Sequence, residues 1–432
     1  MQIIADLHIH GKHSRGCSAD LNIYNLEKYA RLKGIGLLGT GDFTHPGWSK
    51  ELDEVLIPDR SAKGIYRTKT GFPFIYQTEI SLIYTQDGKG RKVHNIVLSP
   101  SREIALQVTE MLQKRGRVDY DGRPIFKISC PEFVEILKEI DRDIEIIPAH
   151  IWTPWFSMFG ANSGFDSVKD CFRDKAREIH AVETGLSSDP PMNWRLSQLD
   201  DYSLVSFSDL HSFWPWRIGR EATVFDMDLN YDSLIQALKT RKGLVGTIEV
   251  DPNYGKYHVD GHRACGVVMQ PPESRKHNKI CPVCRKELTI GVLHRVDELA
   301  DRPEGFVPKD AKRFWSLVPL SEIISIVTGQ ALATKKVWSE YHNILKIGKD
   351  EIDILLNATQ EQLYSVTSPK IARTILDIRE GKVGYKPGYD GVYGVPVIEG
   401  IEVKEPVIPT SAPKKQKPLK KIGQTGLGDF CN

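Results

Sequence analysis

Five apolar runs in the first half of the chain each end in acids or histidines: IIADLHIH (3–10), IGLLGTGDFTH (35–45), FPFIYQTEI (72–80), IEIIPAHI (144–151) and YSLVSFSDLH (202–211). Each is short enough to be a strand. Between several of them lie helix-like segments, 25–33, 101–114 and 131–140, the alternation expected of a parallel sheet with crossover helices. If the strands close into a barrel, their C-terminal ends put these polar side chains in one mouth, where such barrels place their chemistry. His94 in KVHNIVL and Glu183 in IHAVETG extend the series, and GLVGTIEV (243–250) is either one more strand or the closing segment of the domain.

The polar residues form a metal-ligand pattern. His8 and His10 are two apart, so in a strand both project to one side and can grip one ion or neighbouring ions. Asp209 and His211 repeat that spacing. Glu79 can bridge two cations with its two oxygens, while His94 and His150 supply imidazole ligands for the second. One His-x-His pair is weak evidence, because histidines are often buried with a satisfied hydrogen bond. Acids and histidines at seven strand ends are different, since burying so many unpaired ionisable groups would be costly. A cluster of two or three divalent ions roughly 3.5–4 Å apart suits phosphate ester hydrolysis. No GxSxG elbow, Walker GxxxxGK[ST] or early GxGxxG competes with that chemistry. Glu183 is either a wall or general acid-base residue of the site, or a structural carboxylate.

A second signature is His262-x2-Cys265, fifteen residues, then Cys281-x2-Cys284, four ligands in two short pairs. That fits a structural zinc site. His258 competes with His262 for the first position, but the x2 spacing to Cys265 favours His262. Seven cysteines, an odd number with one close pair, argue for metal over disulfides.

The 432 residues, 40% hydrophobic and 26% charged, suffice for one large core and a smaller companion domain. A formal charge of +2 gives no global basic field, so any nucleic-acid partner must be read locally. No run reaches eighteen apolar residues and the first ten carry acids and histidines rather than a basic and then apolar leader, so a soluble, cytoplasmic protein is expected.

Local features follow the proposed ligands. WTPWFSMF (152–159) comes directly after His150, and SFWPWRIGR (212–220) after His211. Trp152, Trp155, Phe156, Trp214 and Trp216 are either core or stacking walls for bases, with Arg217 and Arg220 able to meet phosphates. Residues 314–379 carry helix-spaced apolar positions, with Ser321, Asp350 and Ser368 as caps. GKVGYKPGYDGVYG (381–394) either tracks a duplex backbone with Tyr385, Lys386 and Tyr389 or is an ordered hairpin packed on the helical domain. From Glu405 the chain turns rich in proline and lysine, a solvated linker ending in QTGLGDF. Gln424, Leu427 and Phe430 there resemble the peptide that docks on DNA sliding clamps such as PCNA, with Cys431 in place of the usual second aromatic.

DLHIH (6–10), Glu79, His94, His150 and the DLH of 209–211 resemble the polymerase and histidinol phosphatase (PHP) domain. The resemblance implies a distorted barrel of about seven strands that carries two or three metals at its mouth and hydrolyses phosphate esters. It implies His8, His10, Glu79 and Asp209 around a first metal, and Glu79, His94 and His150 around a second. A third set would draw on Asp42, His45 and His211. Phe43 stands where the family histidine is expected, leaving His45 as a substitute, and Arg15 stands where many relatives carry an acid, with His13 nearby. Two firm metals and a weaker third are therefore expected.

DLHIHGKHSR, GTGDFTHPGW, QTEISLIY, AHIWTPWF, VETGLS, SDLHS, the GHRACG to CPVC module, HRVDELADR (294–302) and the tail together resemble the archaeal endonuclease Q family over nearly the whole chain. The implied fold is α/β: a distorted (β/α)7 PHP-type barrel over 1–250, an inserted or following zinc-binding module over 251–300, a mainly helical DNA-binding domain over 301–404, and a flexible tail over 405–432. The implied activity is metal-dependent hydrolysis of DNA on the 5′ side of deaminated bases (uracil, hypoxanthine, xanthine) and of abasic sites, leaving 3′-hydroxyl and 5′-phosphate ends. His8, His10, Glu79, His94, His150, Asp209, His211 and Glu183 are the implied catalytic set. Zn2+ is expected in the module and the cluster, with Mg2+ or Mn2+ as alternatives at the latter. Damaged DNA and the sliding clamp are the expected partners of a monomer with no membrane attachment. The rivals are a small-molecule phosphoesterase using the same cluster and a catalytically silent DNA-binding scaffold.

Overall fold

The computed structural model describes residues 1–398. The clamp-like peptide with Gln424, Leu427 and Phe430 lies outside the described residues.

The strands are shorter than the apolar runs that announce them. Gln2–Asp6, Leu37–Gly39, Pro73–Ile75, Glu145–Pro148 and Ser203–Val205 each stop before most of the polar residues at the run's end. Three of those stops are left-handed: Asp42, His150 and Asp209 have φ of 42°, 32° and 46°. Such backbone is unfavourable for non-glycine residues, costing about 1–3 kcal/mol each, and persists where surrounding contacts over-determine it. The ligands therefore sit on the turns leaving the strands.

An eight-stranded sheet runs in the order Arg313–Ser316, Leu244–Glu249, Ala222–Asp226, Gln2–Asp6, Leu37–Gly39, Pro73–Ile75, Tyr66–Arg67, Ile57–Pro58. Gln2–Asp6, Leu37–Gly39 and Pro73–Ile75 are parallel, as expected, whereas Ala222–Asp226 is antiparallel to Gln2–Asp6. The run at 243–250 is one more strand, antiparallel to Ala222–Asp226. A second sheet holds Ile125–Phe126, Gln77–Gln86, Lys89–Leu98 and Glu145–Pro148, and a parallel pair joins Ala181–Glu183 to Ser203–Val205.

The expectation that every ligand lies at the C-terminal end of a parallel strand is corrected for Glu79 and His94. Glu79 is near the start of Gln77–Gln86, and His94 is in the middle of Lys89–Leu98, its antiparallel partner. The hairpin forms at Asp87-Gly88, with φ of 52° and 72°, the positive pair that a two-residue turn demands. In its register Ser81 faces His94 and Glu79 faces Ile96, so Glu79 and His94 are diagonal neighbours on one face.

Backbone hydrogen bonds stitch these sheets together around the polar residues. Ala149 N donates to His94 O (3.0 Å), Ile151 N to Glu183 O (3.0 Å), Thr184 N to Val205 O (2.9 Å), His10 N to Leu210 O (3.1 Å) and Thr40 N to Ile75 O (2.9 Å). Residues 251–312 leave the eight-stranded sheet after Leu244–Glu249 and return to it as Arg313–Ser316, which pairs parallel with that strand. Within the excursion a hairpin of Asp260–His262 and Val267–Met269 packs a small core of Met269, Cys281 and Leu288. Buried Asp260 fastens it to the helix Val292–Leu299, accepting from Gly291 N at 2.6 Å and pairing with His294 Nδ1.

Five helices follow: Leu320–Thr328, Lys335–Ile344, Glu351–Asn357, Gln360–Val366 and Pro369–Arg379. Asp350 and Ser368 cap as expected, accepting from Asp353 N and Ile371 N. Ser321 does not cap; it lies inside its helix, whose N-cap is Pro319. The Leu320 N–H donates instead to Glu351 Oε1 (2.9 Å), a longer-range cap that local sequence does not reveal. Glu351 also pairs with buried Lys33 (2.7 Å), at the end of the helix Ile23–Lys33, tying the helical region to the sheet domain. No helix of the described residues is long and apolar enough to cross a membrane.

Candidate metal centre

Two ligand groups share one carboxylate. His8, His10, Glu79 and Asp209 offer ligand atoms within 4.8 Å of one another, and so do Glu79, His94 and His150. Glu79 Oε2 lies 3.2 Å from His10 Nε2 and 3.5 Å from His8 Nε2. Its other oxygen, Oε1, lies 2.6 Å from His94 Nδ1 and 3.2 Å from His150 Nε2. Asp209 Oδ1 closes the first group, 3.1 Å from His10 Nε2 and 3.7 Å from His8 Nε2.

The chemistry of these atoms fits a cation. His8 Nε2 is buried without a hydrogen-bond partner. Ligands around a tetrahedral ion, with bonds of roughly 2 Å, stand about 3.3 Å apart, close to the separations here. Burial alone would discharge His8, but Glu183, Glu79 and Asp209 outweigh it and hold its pKa well above the usual value. Burial likewise disfavours a charged Glu79, yet His94, Arg123 and His8 keep its carboxyl well below the ordinary range. Asp209 is held down in the same way, chiefly by His8 and His10 against its burial. Burial pushes His94 down to about 4, leaving it the neutral imidazole a metal requires.

Around the ligands stands a set of orienting groups. Glu183 receives His8 Nδ1 (2.9 and 3.0 Å to its two oxygens) and the His150 backbone N–H (2.6 Å). Its carboxylate thus contacts residues of both ligand groups while also lining the adjacent cavity, as the wall reading expects. Asp42 Oδ1 lies 3.0 Å from His10 Nδ1, and Oδ2 accepts from Gly11 N (2.6 Å) and Ser14 Oγ (2.8 Å). Ser157 Oγ lies 3.1 Å from His150 Nδ1. Such partners fix the tautomer and raise ligand basicity. Gly185, with φ of 68°, lets the chain pass His150; a Cβ there would sit 2.6 Å from the histidine Cβ.

The expected third ligand set does not assemble. Asp42 is taken up behind His10, and His45 caps the helix Pro46–Val55, accepting from Gly47 N at 3.2 Å and stacking on His13 at 4.1 Å. His211 reaches the mouth, its ring 4.5 Å from that of His10, but joins neither converging group. Arg15 is exposed, its backbone N–H bonded to Asp121. Local spacing missed Arg123, which donates from Nη1 to Glu79 Oε2 at 3.1 Å. A single arginine in a polar loop gives no signal of that kind.

A cavity of about 660 Å3 opens beside the cluster, lined by His94, His150, Asp209, His211, Glu183, Trp155, Phe156, Arg217, Arg220 and Tyr393 among others. Trp155 stands 39% exposed, edge-on to Tyr257. Phe156 packs its ring 4.7 Å from that of His94. Arg220 is buried, donating from Nε and Nη2 to Ser208 O while Nη1 has no partner.

Other expected contact residues lie elsewhere. Trp152 is a core residue, 1% exposed, its Nε1 donating to Asn193 Oδ1 at 2.8 Å, so it cannot wall a binding site. Trp214 and Trp216 stack on each other at 5.3 Å and against Trp338 of the helical region, outside the cavity lining. Tyr385 packs on the main core, and Tyr389 crosses Gly261 in the 251–312 excursion, bridging Val259. The glycine-rich segment is thus an ordered hairpin of Gly384–Lys386 and Val395–Val397, in which Lys386 alone of the three expected residues is exposed.

The second ligand signature converges as well. His262, Cys265, Cys281 and Cys284 present atoms within 4.8 Å of one another, with Cys284 Sγ 3.4 Å from His262 Nδ1. Burial opposes a Cys281 thiolate, but the backbone N–H groups of Cys284 and Val283 draw the thiol down to about 7. His258 is buried away from this group, and its pKa falls to about 4 through burial.

An α/β domain in which two ligand groups share Glu79, with a four-ligand module on an excursion from its sheet, defines a protein with two candidate metal centres. The crystal structure of the lesion-specific endonuclease PfuEndoQ from Pyrococcus furiosus superposes with a TM-score of 0.82 at 30% identity, covering 92% of this chain and 96% of that one. Endonuclease Q in complex with a 27-mer duplex carrying an abasic lesion at the active site superposes with a TM-score of 0.83, also at 30% identity, over 93% and 97% of the two chains. The chain belongs to the endonuclease Q family. Residues 319–382 match the MJ0043 C-terminal domain family. The uncharacterized protein MJ0043 of Methanocaldococcus jannaschii is 35% identical over 290 residues, 65% of this chain and 34% of its own length. The chain thus spans about a third of that relative.

Proposed function

We propose that this protein is a metal-dependent DNA repair endonuclease that cuts on the 5′ side of deaminated bases (uracil, hypoxanthine, xanthine) and of abasic sites, leaving 3′-hydroxyl and 5′-phosphate ends. The observation that carries the reading is Glu79, whose two oxygens each face a separate group of ligands. Family membership supports DNA as the substrate, since one solved relative holds a duplex with an abasic lesion at its active site.

In this reading His8, His10, Glu79 and Asp209 hold one cation and Glu79, His94 and His150 a second, Mg2+, Mn2+ or Zn2+. Divalent cations so placed supply Lewis acidity toward water and the phosphate oxygens. Glu183, Asp42 and Ser157 keep the imidazoles oriented. Trp155 and Phe156 offer stacking faces to an extruded nucleotide, whose unstacking costs least at a damaged pair. Arg217 and Arg220, side chains that can donate but not accept hydrogen bonds, suit the carbonyl oxygen that replaces an amino group when a base is deaminated, Arg220 through its unpartnered Nη1.

The circuit of backbone hydrogen bonds through Ile75, Thr40, His10, Leu210, Val205, Glu183, His94 and Ala149 supports a distorted seven-stranded barrel over 1–250. The 251–300 segment is read as a structural Zn2+ module and 301–404 as a mainly helical DNA-binding domain. The tail from 405 is read as the tether to a sliding clamp, with Gln424, Leu427 and Phe430 as anchors, on a monomeric cytoplasmic enzyme.

The experiment is incision of end-labelled duplexes carrying one uracil, one abasic site or no lesion, with defined divalent ions and with chelator. Single nicks 5′ of the lesion that disappear on chelation are expected. Equal cutting of undamaged DNA, or incision indifferent to chelator, overturns the reading.

A further inference from the structure

The cluster holds one permanent cation of its own. Arg123 Nη1 bonds Glu79 Oε2 at 3.1 Å, the oxygen that faces the first ligand group. Among the described residues this is the only side-chain bond its guanidinium makes; Nε and Nη2 have no protein partner, and the side chain is 26% exposed. An arginine that points into a carboxylate–histidine cluster with two donors left over is arranged to receive a second oxyanion.

Its placement is built rather than incidental. Arg123 rides on the loop between the helix Arg102–Gln113 and the short strand Ile125–Phe126. Gly122 N donates to His13 O (3.2 Å). The backbone N–H groups of Arg15 and Arg123 both reach Asp121 Oδ1, at 3.4 and 3.1 Å. Gly122 rests directly on Asp42 and Ser14, so closely that any Cβ would collide with both side chains. This is the edge of the cluster where Asp42 is consumed by His10 and His45 has turned away to cap a helix. Asp209 and His211, at the mouth, both feel the charge of Arg123.

We infer that Arg123 is a catalytic residue of the phosphodiester cleavage, its free donors binding a non-bridging oxygen of the scissile phosphate at the edge where a third ligand set fails to form. The inference rests on the nuclease reading above. Held by Glu79, the guanidinium meets the phosphate without reorganising, and its charge counts most as negative charge builds on the phosphorus oxygens. No proton moves through Arg123, and the hydrolysis balances as water plus phosphodiester giving a 3′-hydroxyl and a 5′-phosphate.

Arg123→Ala and Arg123→Lys are compared with wild type on abasic-site DNA, together with metal content by elemental analysis and DNA affinity without divalent ions. Arg123→Ala is expected to lower kcat by about 100-fold or more, with KM changed less than about 3-fold and bound metal unchanged. Arg123→Lys is expected to recover little, because one ammonium cannot serve Glu79 and the phosphate together, whereas guanidinium ion added to Arg123→Ala is expected to restore part of the rate. Wild-type kcat in Arg123→Ala overturns the inference. So does a lost rate that tracks lost metal without guanidinium rescue, which would make Arg123 a prop for Glu79. Wild-type protein that cuts no DNA at all defeats the nuclease reading instead, a separate outcome.

Discussion

His8 Nδ1 lies 2.9 Å from one oxygen of Glu183 and 3.0 Å from the other, leaving Nε2 as the atom directed at Glu79 and Asp209. The bond decides which nitrogen is free for a cation. Because Glu183 also accepts the His150 backbone N–H, it orients residues from both ligand groups. Glu183→Ala is therefore expected to weaken divalent binding by about 10–100-fold, measured by metal titration, with the folded state retained by circular dichroism. Unchanged metal affinity would remove Glu183 from the site.

Asp209 supplies a carboxylate oxygen to the first group from a left-handed turn at the mouth. Asp209→Asn keeps the shape and removes the charge. Incision of lesion-bearing DNA is expected to fall by about 100-fold or more, while DNA affinity, which arises mainly from phosphate contacts, changes little in a gel-shift measurement. Full turnover in metal-defined buffer would contradict this.

The four-ligand module is separable from the cluster. Cys281 sits at the centre of a small core with Met269 and Leu288, and it joins His262, Cys265 and Cys284 in one ligand group. Cys281→Ser is expected to release about one zinc per chain and lower Tm, since structural zinc contributes folding energy directly. The divalent affinity of the Glu79 cluster is expected to stay put. Unchanged zinc content on elemental analysis would refute the site.

Stability should fall with rising pH because of a buried acid pair. Burial lifts the pKa of Glu221 from 4.5 to about 8, and adjacent Glu249 is also held well above its ordinary value by burial and by Glu221. A folded-state pKa above the unfolded one means that the folded state binds the proton more tightly. The contribution is fully present below pH 4.5 and is lost as pH rises through about 8. Tm is expected to drop between pH 5 and pH 8, and Glu221→Gln, which cannot ionise, should flatten that slope. A variant with the wild-type slope would show that Glu221 is not the responsible group.

The helical region is fastened through a buried ion pair. Lys33 Nζ lies 2.7 Å from Glu351 Oε1 and also donates to Pro215 O (3.0 Å), while Glu351 Oε2 accepts from Tyr341 Oη (2.8 Å). Removing one partner leaves a buried charge uncompensated, so Lys33→Met should destabilise by about 3–5 kcal/mol, read from urea unfolding. A loss below about 1 kcal/mol would mean that the pair is exposed to water in solution.

How much of this was legible depends on the range of the interaction. Ligand identity is local chemistry: the His8-x-His10 pair, Glu79 and Asp209 among the carboxylates of the apolar runs, and the Cys281-x2-Cys284 pair stand out in any reading, and the fold brings each of them to a candidate ligand group. The helices also follow from local periodicity and from Asp350 and Ser368 as caps. One local signal went unused, the Asp87-Gly88 turn that makes the Glu79 and His94 strands antiparallel. Burial is different in kind. Trp152 and Trp155 are three residues apart in one aromatic run, yet one seals the core and the other borders the cavity. Only packing from distant segments separates them.

By itself, then, the sequence marked the candidate ligands His8, His10, Glu79, His94, His150 and Asp209 and the helices near 25–33, 101–114 and 131–140, because spacing and side-chain chemistry act over a few residues. Tertiary structure alone decided that Asp42 and Glu183 orient ligands and that Arg123 enters the cluster. Those assignments turn on hydrogen bonds closed between residues 31 to 175 positions apart, where the chain's path through space, not its local order, selects the partner.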